Sequence, residues 1–229
     1  MRNSLFLEGI KKLLSYSTIL SISGESGTGK TSLALQLIGE LLSKEDSCIW
    51  VQASEKFPNQ RLSQLFEGPK LQEIKNKTYI IPKERPIQTY LEQTMIFQNL
   101  IDPDTIFPPN IKIVVIDNIS HHLRLELGIC FTIEEVCSSQ NRFYEEQLFP
   151  LISLCNRNSI NLVLIHEVTY DPSTKSNRSF FYKLYDRIGC INIILRKKIG
   201  TKTKEMEVSF NSSNKLFLYG IDHKGISIY

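Results

Sequence analysis

The sequence lacks the features that mark secreted, metal-stapled or membrane-spanning proteins. Its five cysteines are scattered and none forms a C-x-x-C pair, so we expect reduced thiols in a cell rather than disulfides or zinc. No apolar run approaches the roughly 20 residues that span a bilayer. The opening stretch MRNSLFLEGIKKLL contains Glu8 and lacks a small-residue cleavage site, so no secretory signal is expected. These absences predict an intracellular protein without membrane association.

Internal repeats and low-complexity tracts are also missing, and the composition is ordinary. The chain has 229 residues, of which 41% are hydrophobic and 22% charged, which suits one sizeable globular domain over residues 1–229.

Charge is distributed unevenly, although the net charge is only +3. The segment from Tyr170 to Lys204 contains nine Lys or Arg residues against Asp171 and Asp186, a net charge of +7, so the remainder carries −4. One end of the protein is therefore predicted to be basic and the rest mildly acidic.

The pattern of apolar residues alternates between strands and helices before it changes to hairpins. YSTILSIS, SCIWVQA, TYIIP, IKIVVID and INLVLIHEV predict buried strands. The intervening helices are predicted at TSLALQLIGELL, NQRLSQLF, roughly 87–100 and roughly 132–156, where Thr132 and Glu135 fit a capping box and Pro150 is expected to kink or divide the helix. DPDTIFPPN must be irregular, and GCINIILR, EMEVSF and KLFLYGI read as antiparallel strands. The expected fold class is α/β, with a mostly parallel central sheet flanked by helices and a C-terminal antiparallel hairpin extension.

GESGTGKT, residues 24–31, matches the phosphate-binding loop G-x-x-x-x-G-K-[ST]. It lies between a predicted strand and a predicted helix, where backbone N–H groups and the helix N-terminus attract phosphate. Lys30 is expected to reach the β- and γ-phosphates, and the Thr31 hydroxyl to bind Mg²⁺. The predicted nucleotide-binding residues are Gly24, Glu25, Ser26, Gly27, Thr28, Gly29, Lys30, Thr31 and Ser32.

Two acidic residues extend this prediction. Asp117 closes the strand IKIVVID, where a carboxylate holds the water shell of Mg²⁺ in P-loop proteins. Hydrolysis also needs a group that activates water, and Glu55 in IWVQASEKF is a candidate that stands one residue later than the usual place. Glu55 is either a weak base or a surface residue, and slow or absent turnover follows as a hypothesis.

GESGTGKTSLALQL, FPNQRLSQL, IKIVVIDNISHHLRLEL and the tail from LRKKIGTKTK to IDHKGI occur in the order found in RecA-type recombinases. The chain resembles the eukaryotic and archaeal (RadA) class of this family over nearly its whole length, and most of all its accessory paralogues, such as the Rad-fifty-seven and XRCC-three group and the small archaeal RadB. The resemblance implies a RecA-like core that binds ATP and Mg²⁺. It also implies a nuclear protein (cytoplasmic if archaeal) that pairs with another paralogue and helps the recombinase on single-stranded DNA.

Three departures from the family pattern modify these expectations. The family's catalytic Glu matches Ser54 rather than Glu55, and the Gln that senses the γ-phosphate matches Glu167. A carboxylate cannot donate the hydrogen bond of an amide unless it is protonated. The family's N-terminal helical domain is not matched, so self-assembly through that region is not expected.

The resemblance places the second DNA-binding loop at TYDPSTKSNRSFFYKLYDR. Cations there can contact phosphates and aromatic rings can stack on bases. The DNA-binding candidates are Lys175, Arg178, Phe181, Lys183 and Arg187, and a protein interface is the alternative. LRKKIGTKTK is predicted to form a basic hairpin, and Arg124 and Glu126 to fix a local loop through ion pairs or hydrogen bonds. The pair His121 and His122 lacks a third ligand and is not expected to bind metal.

Three functional hypotheses follow. The first is an ATP-binding mediator of homologous recombination and double-strand-break repair. The second is a weak DNA-dependent ATPase that remodels filaments. The third is a small-molecule P-loop kinase, which the antiparallel hairpins after the last parallel strand disfavour.

Overall fold

A nine-stranded sheet organises the protein in a computed structural model, which describes residues 2–173, 175–198 and 200–229. Thr174 and Ile199, both within the basic segment, lie outside the described residues. In chain order its strands are β1 (Ile19–Gly24), β2 (Ser47–Gln52), β3 (Thr78–Ile81), β4 (Ile111–Asp117), β5 (Asn161–His166), β8 (Ile191–Lys197), β9 (Lys204–Phe210), β10 (Ser213–Asp222) and β11 (Gly225–Ile228). Across the sheet they run in the order β11-β10-β9-β8-β1-β5-β4-β2-β3. Those from β8 to β3 are parallel, and β8 to β11 form an antiparallel extension. The predicted mostly parallel sheet with antiparallel C-terminal strands is confirmed.

A separate two-stranded ribbon consists of β6 (Val168–Asp171) and β7 (Ser176–Ser179). The helices are α1 (Arg2–Leu14), α2 (Lys30–Leu41), α3 (Asn59–Leu65), α4 (Gly68–Lys77), α5 (Tyr90–Ile101), α6 (His121–Leu127), α7 (Ile133–Phe143), α8 (Phe149–Arg157) and α9 (Tyr182–Arg187).

Both faces of the sheet are covered by apolar clusters, because the central strands alternate their side chains between them. In β4, Ile113 and Val115 join the cluster that contains α1 and α2, whereas Val114 and Ile116 join the cluster that contains α5, α7 and α8. Burial on both faces explains why these strands are continuous apolar runs.

The predicted helix over 132–156 consists of three pieces. Thr132 caps α7 with the expected capping box, and a π-helical turn (Tyr144–Leu148) then joins α7 to α8. Pro150 lies in the first turn of α8, where its missing N–H costs no hydrogen bond. The connection DPDTIFPPN contains neither helix nor strand, as predicted.

The parallel arrangement brings the carboxyl ends of β1, β2, β4 and β5 to one edge of the sheet. The P-loop, Glu55, Asp117 and Glu167 all follow those ends, so the topology alone gathers the predicted site residues. Among the described residues, no helix is long and apolar enough to cross a membrane.

Candidate nucleotide-binding site

A cleft of about 690 Å³ opens at this edge of the sheet. The P-loop forms one wall, and the residues that follow β2, β4 and β5 form the other. All predicted nucleotide-binding residues except Thr28 line it, together with Ser54, Glu55, Asp117 and Glu167. The structure therefore collects the predicted nucleotide, metal and catalytic candidates in a single cavity.

Two glycines allow the P-loop to turn into α2. Gly27 has φ +74° and Gly29 has φ +94°, values in the left-handed region that glycine adopts without strain. Gly29 is the N-cap of α2 and no side chain caps the helix, so the first N–H groups of the helix are available to an anion. Thr28 instead holds the loop from inside: it is fully buried, and its Oγ1 donates to the Glu25 carbonyl at 2.7 Å.

Lys30 is bound to the backbone of the P-loop and lies within the electrostatic influence of three acidic side chains. Its Nζ donates to the carbonyl oxygens of Gly24 and Glu25 at 2.8 and 3.1 Å. Burial lowers the pKa of Lys30, and attraction from Asp117, Glu167 and Glu55 opposes that shift. The ammonium group is therefore central to the charge balance of the cleft.

Thr31 and Asp117 form the candidate metal position. The Thr31 hydroxyl donates to Asp117 Oδ2 at 3.0 Å. Burial raises the pKa of Asp117 to about 6, against the hydrogen bond from Thr31, and the negative charge of Glu55 adds to the rise. Burial destabilises the charged form of Asp117, and a bound cation would offset that cost. The hydroxyl and the carboxylate are oxygen donors, which suit a hard cation such as Mg²⁺.

Glu55 reaches the cleft although it follows the strand by three residues. β2 ends at Gln52, and the N–H groups of Ala53 and Ser54 both donate to the Asp117 carbonyl at 2.8 and 3.1 Å. Strand alternation no longer governs residues beyond that point, so Ser54 and Glu55 both line the cavity. Glu55 itself is exposed.

Glu167 forms the far wall with residues that follow β4. Its Oε2 accepts from Arg124, and its Oε1 accepts from Asn118 Nδ2 at 3.2 Å. Glu126 pairs with Arg142 on α7 at 2.9 Å. Glu126 forms a local ion pair, as predicted, whereas Arg124 pairs with Glu167 on the same wall of the cleft, 43 residues away along the chain.

A second cleft of about 450 Å³ adjoins the first across Gly27, Gly29 and Ser32. Arg61 lines it, with its Nε donating to Ser32 Oγ at 2.8 Å and its Nη2 to the Asp222 carbonyl at 2.8 Å. In the sequence Arg61 stands out only as part of FPNQRLSQL, because no local pattern links it to β10.

The last two strands hold the P-loop and α2 in place. The buried Tyr219 hydroxyl donates to the Thr28 carbonyl at 2.8 Å. Gln36 on α2 exchanges two hydrogen bonds with the backbone of Ile226, at 2.8 and 3.3 Å. A Cβ on Gly29 would lie 2.7 Å from the Ile221 side chain, so the loop and the hairpin are in close contact.

The DNA-binding candidates lie on and just after the β6–β7 ribbon beside the P-loop. Asn177 donates to Glu25 Oε1 at 2.7 Å, and Ser179 donates to Ser23 at 2.7 Å. Lys175, Lys183 and Arg187 are exposed.

Arg178 and Phe181 have partners within the protein. Arg178 pairs with Asp171 at 3.1 Å and lies 4.5 Å from the centre of the Tyr182 ring. Phe181 is half-buried and stacks against Phe143, with ring centres 6.5 Å apart. Three of the five DNA-binding candidates are therefore exposed cations, whereas Arg178 and Phe181 already have contacts within the protein.

The strands after the ribbon bear further basic residues with acidic partners. Arg196 pairs with Glu207, Lys197 lies 3.9 Å from Glu25, and Lys198 lies 3.3 Å from Glu205. The predicted basic hairpin exists as the β8–β9 pair, but these three charges are partly neutralised.

The two adjacent histidines have different surroundings. His122 is buried, and its Nε2 contacts the carbonyl oxygens of Ala53 and Ile87 at 2.8 and 3.1 Å. His121 lies 3.8 Å from Glu167. In the part of the chain that the structure describes, no group of three or more His, Cys, Asp and Glu side chains is arranged to hold a metal ion.

His166, the last residue of β5, lies beneath the cleft and was not singled out from the sequence. It is fully buried, and within the described residues neither ring nitrogen has a hydrogen-bond partner. Its ring packs against that of Tyr185, with centres 4.3 Å apart. Burial lowers the pKa of His166 to about 3, and the charge of Lys30 adds to this effect, so the ring is neutral.

Three features together define a RecA-like P-loop fold. A P-loop follows β1, an acid closes the parallel strand β4, and antiparallel strands continue the sheet. The crystal structure of the RadB recombinase has the same fold, with a TM-score of 0.66 and 21% identity, and the match covers 91% of this chain and 89% of that one.

No family model matches the chain. The chain is 28% identical over 181 residues to the DNA repair protein RAD57 of Saccharomyces cerevisiae, and the match covers 69% of this chain and 35% of that protein. The chain thus matches about a third of the length of this relative. The predicted RecA-like fold and the resemblance to RecA-family recombinase paralogues, RadB-like in size, are both confirmed.

Proposed function

We propose that the chain is an ATP-binding accessory protein of homologous recombination and DNA double-strand-break repair. The observation that carries the proposal is the cleft itself, in which the P-loop with Lys30 and Thr31 faces Asp117. The names of the similar proteins, a DNA repair protein and a recombinase, support the biological setting.

The residues of the cleft fit Mg²⁺–ATP. The N–H groups of the P-loop and of the start of α2, together with Lys30, would hold the phosphates. Thr31 and Asp117 would hold Mg²⁺, which would offset the negative charge of those phosphates. The second cleft, lined by Arg61, would take the nucleoside end. When bound, ATP would supply a cleavable γ-phosphate, and the conformation of the protein at this edge of the sheet would depend on its presence.

Single-stranded DNA is the proposed polymer ligand. The exposed Lys175 lies between the two strands of the ribbon that contacts Glu25 and Ser23 through Asn177 and Ser179, and the exposed Lys183 and Arg187 lie on α9, just after the ribbon. The bonds from Asn177 to Glu25 and from Ser179 to Ser23 tie the DNA-facing segment to the nucleotide loop. We propose that the protein acts in the nucleus (in the cytoplasm if archaeal), pairs with another recombinase paralogue and assists the recombinase on single-stranded DNA.

A weak DNA-dependent ATPase is the second candidate, and the observation in its favour is that Glu55 lines the cleft. As a base, Glu55 would accept a proton from the attacking water. Its exposure to solvent favours slow turnover.

Nucleotide binding is tested by thermal unfolding with Mg²⁺ and either ATP or ADP. A ligand at a hundred times its Kd stabilises the folded state by about 2.7 kcal/mol. Lys30→Ala should abolish most of that shift, whereas Lys44→Ala, an exposed lysine at the opposite edge of the sheet, should retain it. Equal shifts in both variants, or none in the wild type, would refute the proposed site.

Pairing is tested by affinity purification of the tagged chain from its own cells at low salt. The expected result is a stoichiometric second recombinase paralogue or the recombinase itself. Recovery of neither contradicts the mediator proposal and leaves the nucleotide site to its own test.

A further inference from the structure

The wall of the cleft opposite the P-loop is an ion pair. Arg124 comes from α6 after β4, and Glu167 follows β5. Their side chains remain 49% and 34% exposed, so a ligand in the cleft can reach both. Asn118 Nδ2 and His121 Nδ1 lie 3.2 and 3.8 Å from the other carboxylate oxygen of Glu167.

Glu167 is fixed at this place by its backbone. Its N–H donates to Ser120 Oγ at 3.1 Å, and its carbonyl accepts from the Phe180 N–H at 3.0 Å. The Arg124 guanidinium lies 5.8 Å from the centre of the Phe180 ring. The backbone of Glu167 is therefore held between Ser120 and Phe180, and its carboxylate is held by Arg124 and Asn118.

Acidic groups outnumber cations around Lys30. Of the described residues that line the cleft, Lys30 and Arg124 are the cations, whereas the acidic residues are Glu25, Glu55, Asp117 and Glu167. The attraction on the Lys30 ammonium is largest from Asp117 and next from Glu167. Asp117 belongs to the candidate metal position, so Glu167 is the main carboxylate that a cation from solution does not neutralise.

We propose that the Glu167–Arg124 pair determines which nucleotide the cleft retains, favouring a nucleoside diphosphate over a triphosphate. This inference rests on the proposed nucleotide site. A third phosphate adds negative charge on the side of Glu167. While Arg124 is bound to Glu167 the phosphate meets a neutral pair, and if Arg124 turns to the phosphate it leaves Glu167 without its counter-charge. A glutamine in place of Glu167 would keep the shape, donate an N–H and leave Arg124 for the phosphate.

The test compares the Kd of ADP with that of the non-hydrolysable β,γ-imido analogue of ATP, by calorimetry of the whole chain with excess Mg²⁺. The wild type should bind ADP the more tightly. Glu167→Gln should tighten analogue binding about tenfold, equivalent to about 1.4 kcal/mol, and change ADP binding less than threefold. Arg124→Gln should weaken analogue binding about tenfold, and the double variant should lie between the two.

The neighbouring pair provides the matched control. Glu126 and Arg142 are 2.9 Å apart and similarly exposed (27% and 47%), but they lie outside the cleft. Glu126→Gln should leave the ratio of the two Kd values unchanged. A Glu167→Gln variant that shifts both nucleotides equally overturns the inference while the site stands. A wild type that binds neither nucleotide overturns the proposed function as well.

Discussion

Asp117→Asn is the perturbation whose effect the structure defines most closely. Asp117 accepts a hydrogen bond from Thr31 at 3.0 Å, and burial raises the pKa of its carboxyl to about 6. An asparagine has the same shape, can accept the same hydrogen bond through Oδ1, and carries no charge at any pH. The substitution therefore isolates the cost of placing a negative charge in the cleft.

The sign follows from the two pKa values. The unfolded carboxyl titrates near ~3.9 and the folded one at about 6, so between these values the folded protein binds more protons and its stability falls as pH rises. The contribution of Asp117 to the free energy of unfolding is fully present below about pH 4 and is lost above about pH 6. A difference of about two pKa units corresponds to about 3 kcal/mol, and we expect about 2 to 3 kcal/mol because one side of Asp117 faces the solvent-filled cleft.

The assay is urea unfolding of wild type and Asp117→Asn in EDTA at pH 4 and pH 8. The two proteins should have nearly equal free energies of unfolding at pH 4, where the wild-type carboxyl is protonated. At pH 8 the variant should be more stable by the stated amount. Adding Mg²⁺ and ADP at pH 8 should stabilise the wild type strongly and the variant little, which reverses the order.

Two outcomes would refute this reasoning. A variant that is equally or less stable than the wild type at pH 8 in EDTA would show that the buried charge costs nothing. A stability difference that is the same at pH 4 and pH 8 would show that it does not arise from titration of Asp117.

Tyr219→Phe removes a buried hydroxyl and leaves the Thr28 carbonyl without that donor, so the free energy of unfolding in urea should fall by about 1 to 2 kcal/mol. Lys175→Glu with Lys183→Glu should weaken binding of a single-stranded oligonucleotide in fluorescence anisotropy, and should reduce the slope of log K against log salt by about 1.4. Glu55→Gln should lower any ATP hydrolysis at least tenfold in single-turnover assays with single-stranded DNA, with nucleotide affinity unchanged.

Each of these predictions has a result that contradicts it. Unchanged stability in Tyr219→Phe would mean that the hydroxyl is not needed to hold the P-loop. Lys11→Glu with Lys44→Glu makes the same charge change at exposed positions outside the DNA-facing segment, and an equal loss of DNA binding there would indicate an effect of net charge alone. Full hydrolysis in Glu55→Gln would exclude Glu55 as the base.

Elements with a strong local pattern could be predicted from the sequence. IKIVVID is a continuous run of mostly β-branched residues, and β4 occupies its full length at Ile111–Asp117. The P-loop was recognisable because its glycines, Lys30 and Thr31 occur at fixed spacing. Asp117 was predictable because it closes a buried strand, which is where P-loop proteins place the acid that holds Mg²⁺. These features position the cleft, so its location was predictable.

Features that depend on distant contacts or weak local patterns were missed. The β6–β7 ribbon lies in a segment of polar and aromatic residues without strand alternation, and its bonds to Ser23 and Glu25 join positions more than 150 apart in the chain. The Arg124–Glu167 pair exists because β4 and β5 are neighbours in the sheet. Glu55 reaches the cleft because β2 ends at Gln52. The β-propensities of the residues do not determine at which residue a strand ends, so this could not be predicted.

The hydrogen bonds of Tyr219 and Gln36 have a consequence for the order in which the protein folds. The Tyr219 hydroxyl that supports the P-loop is 191 residues away from its acceptor along the chain, and the Ile226 backbone that pairs with Gln36 is 190 residues away from that side chain. Both contacts close long loops of chain, so they form only after the intervening strands have assembled. The P-loop therefore gains its support late in folding, and a cut or a fusion near Ile226 should weaken nucleotide binding although Ile226 lies outside the cleft.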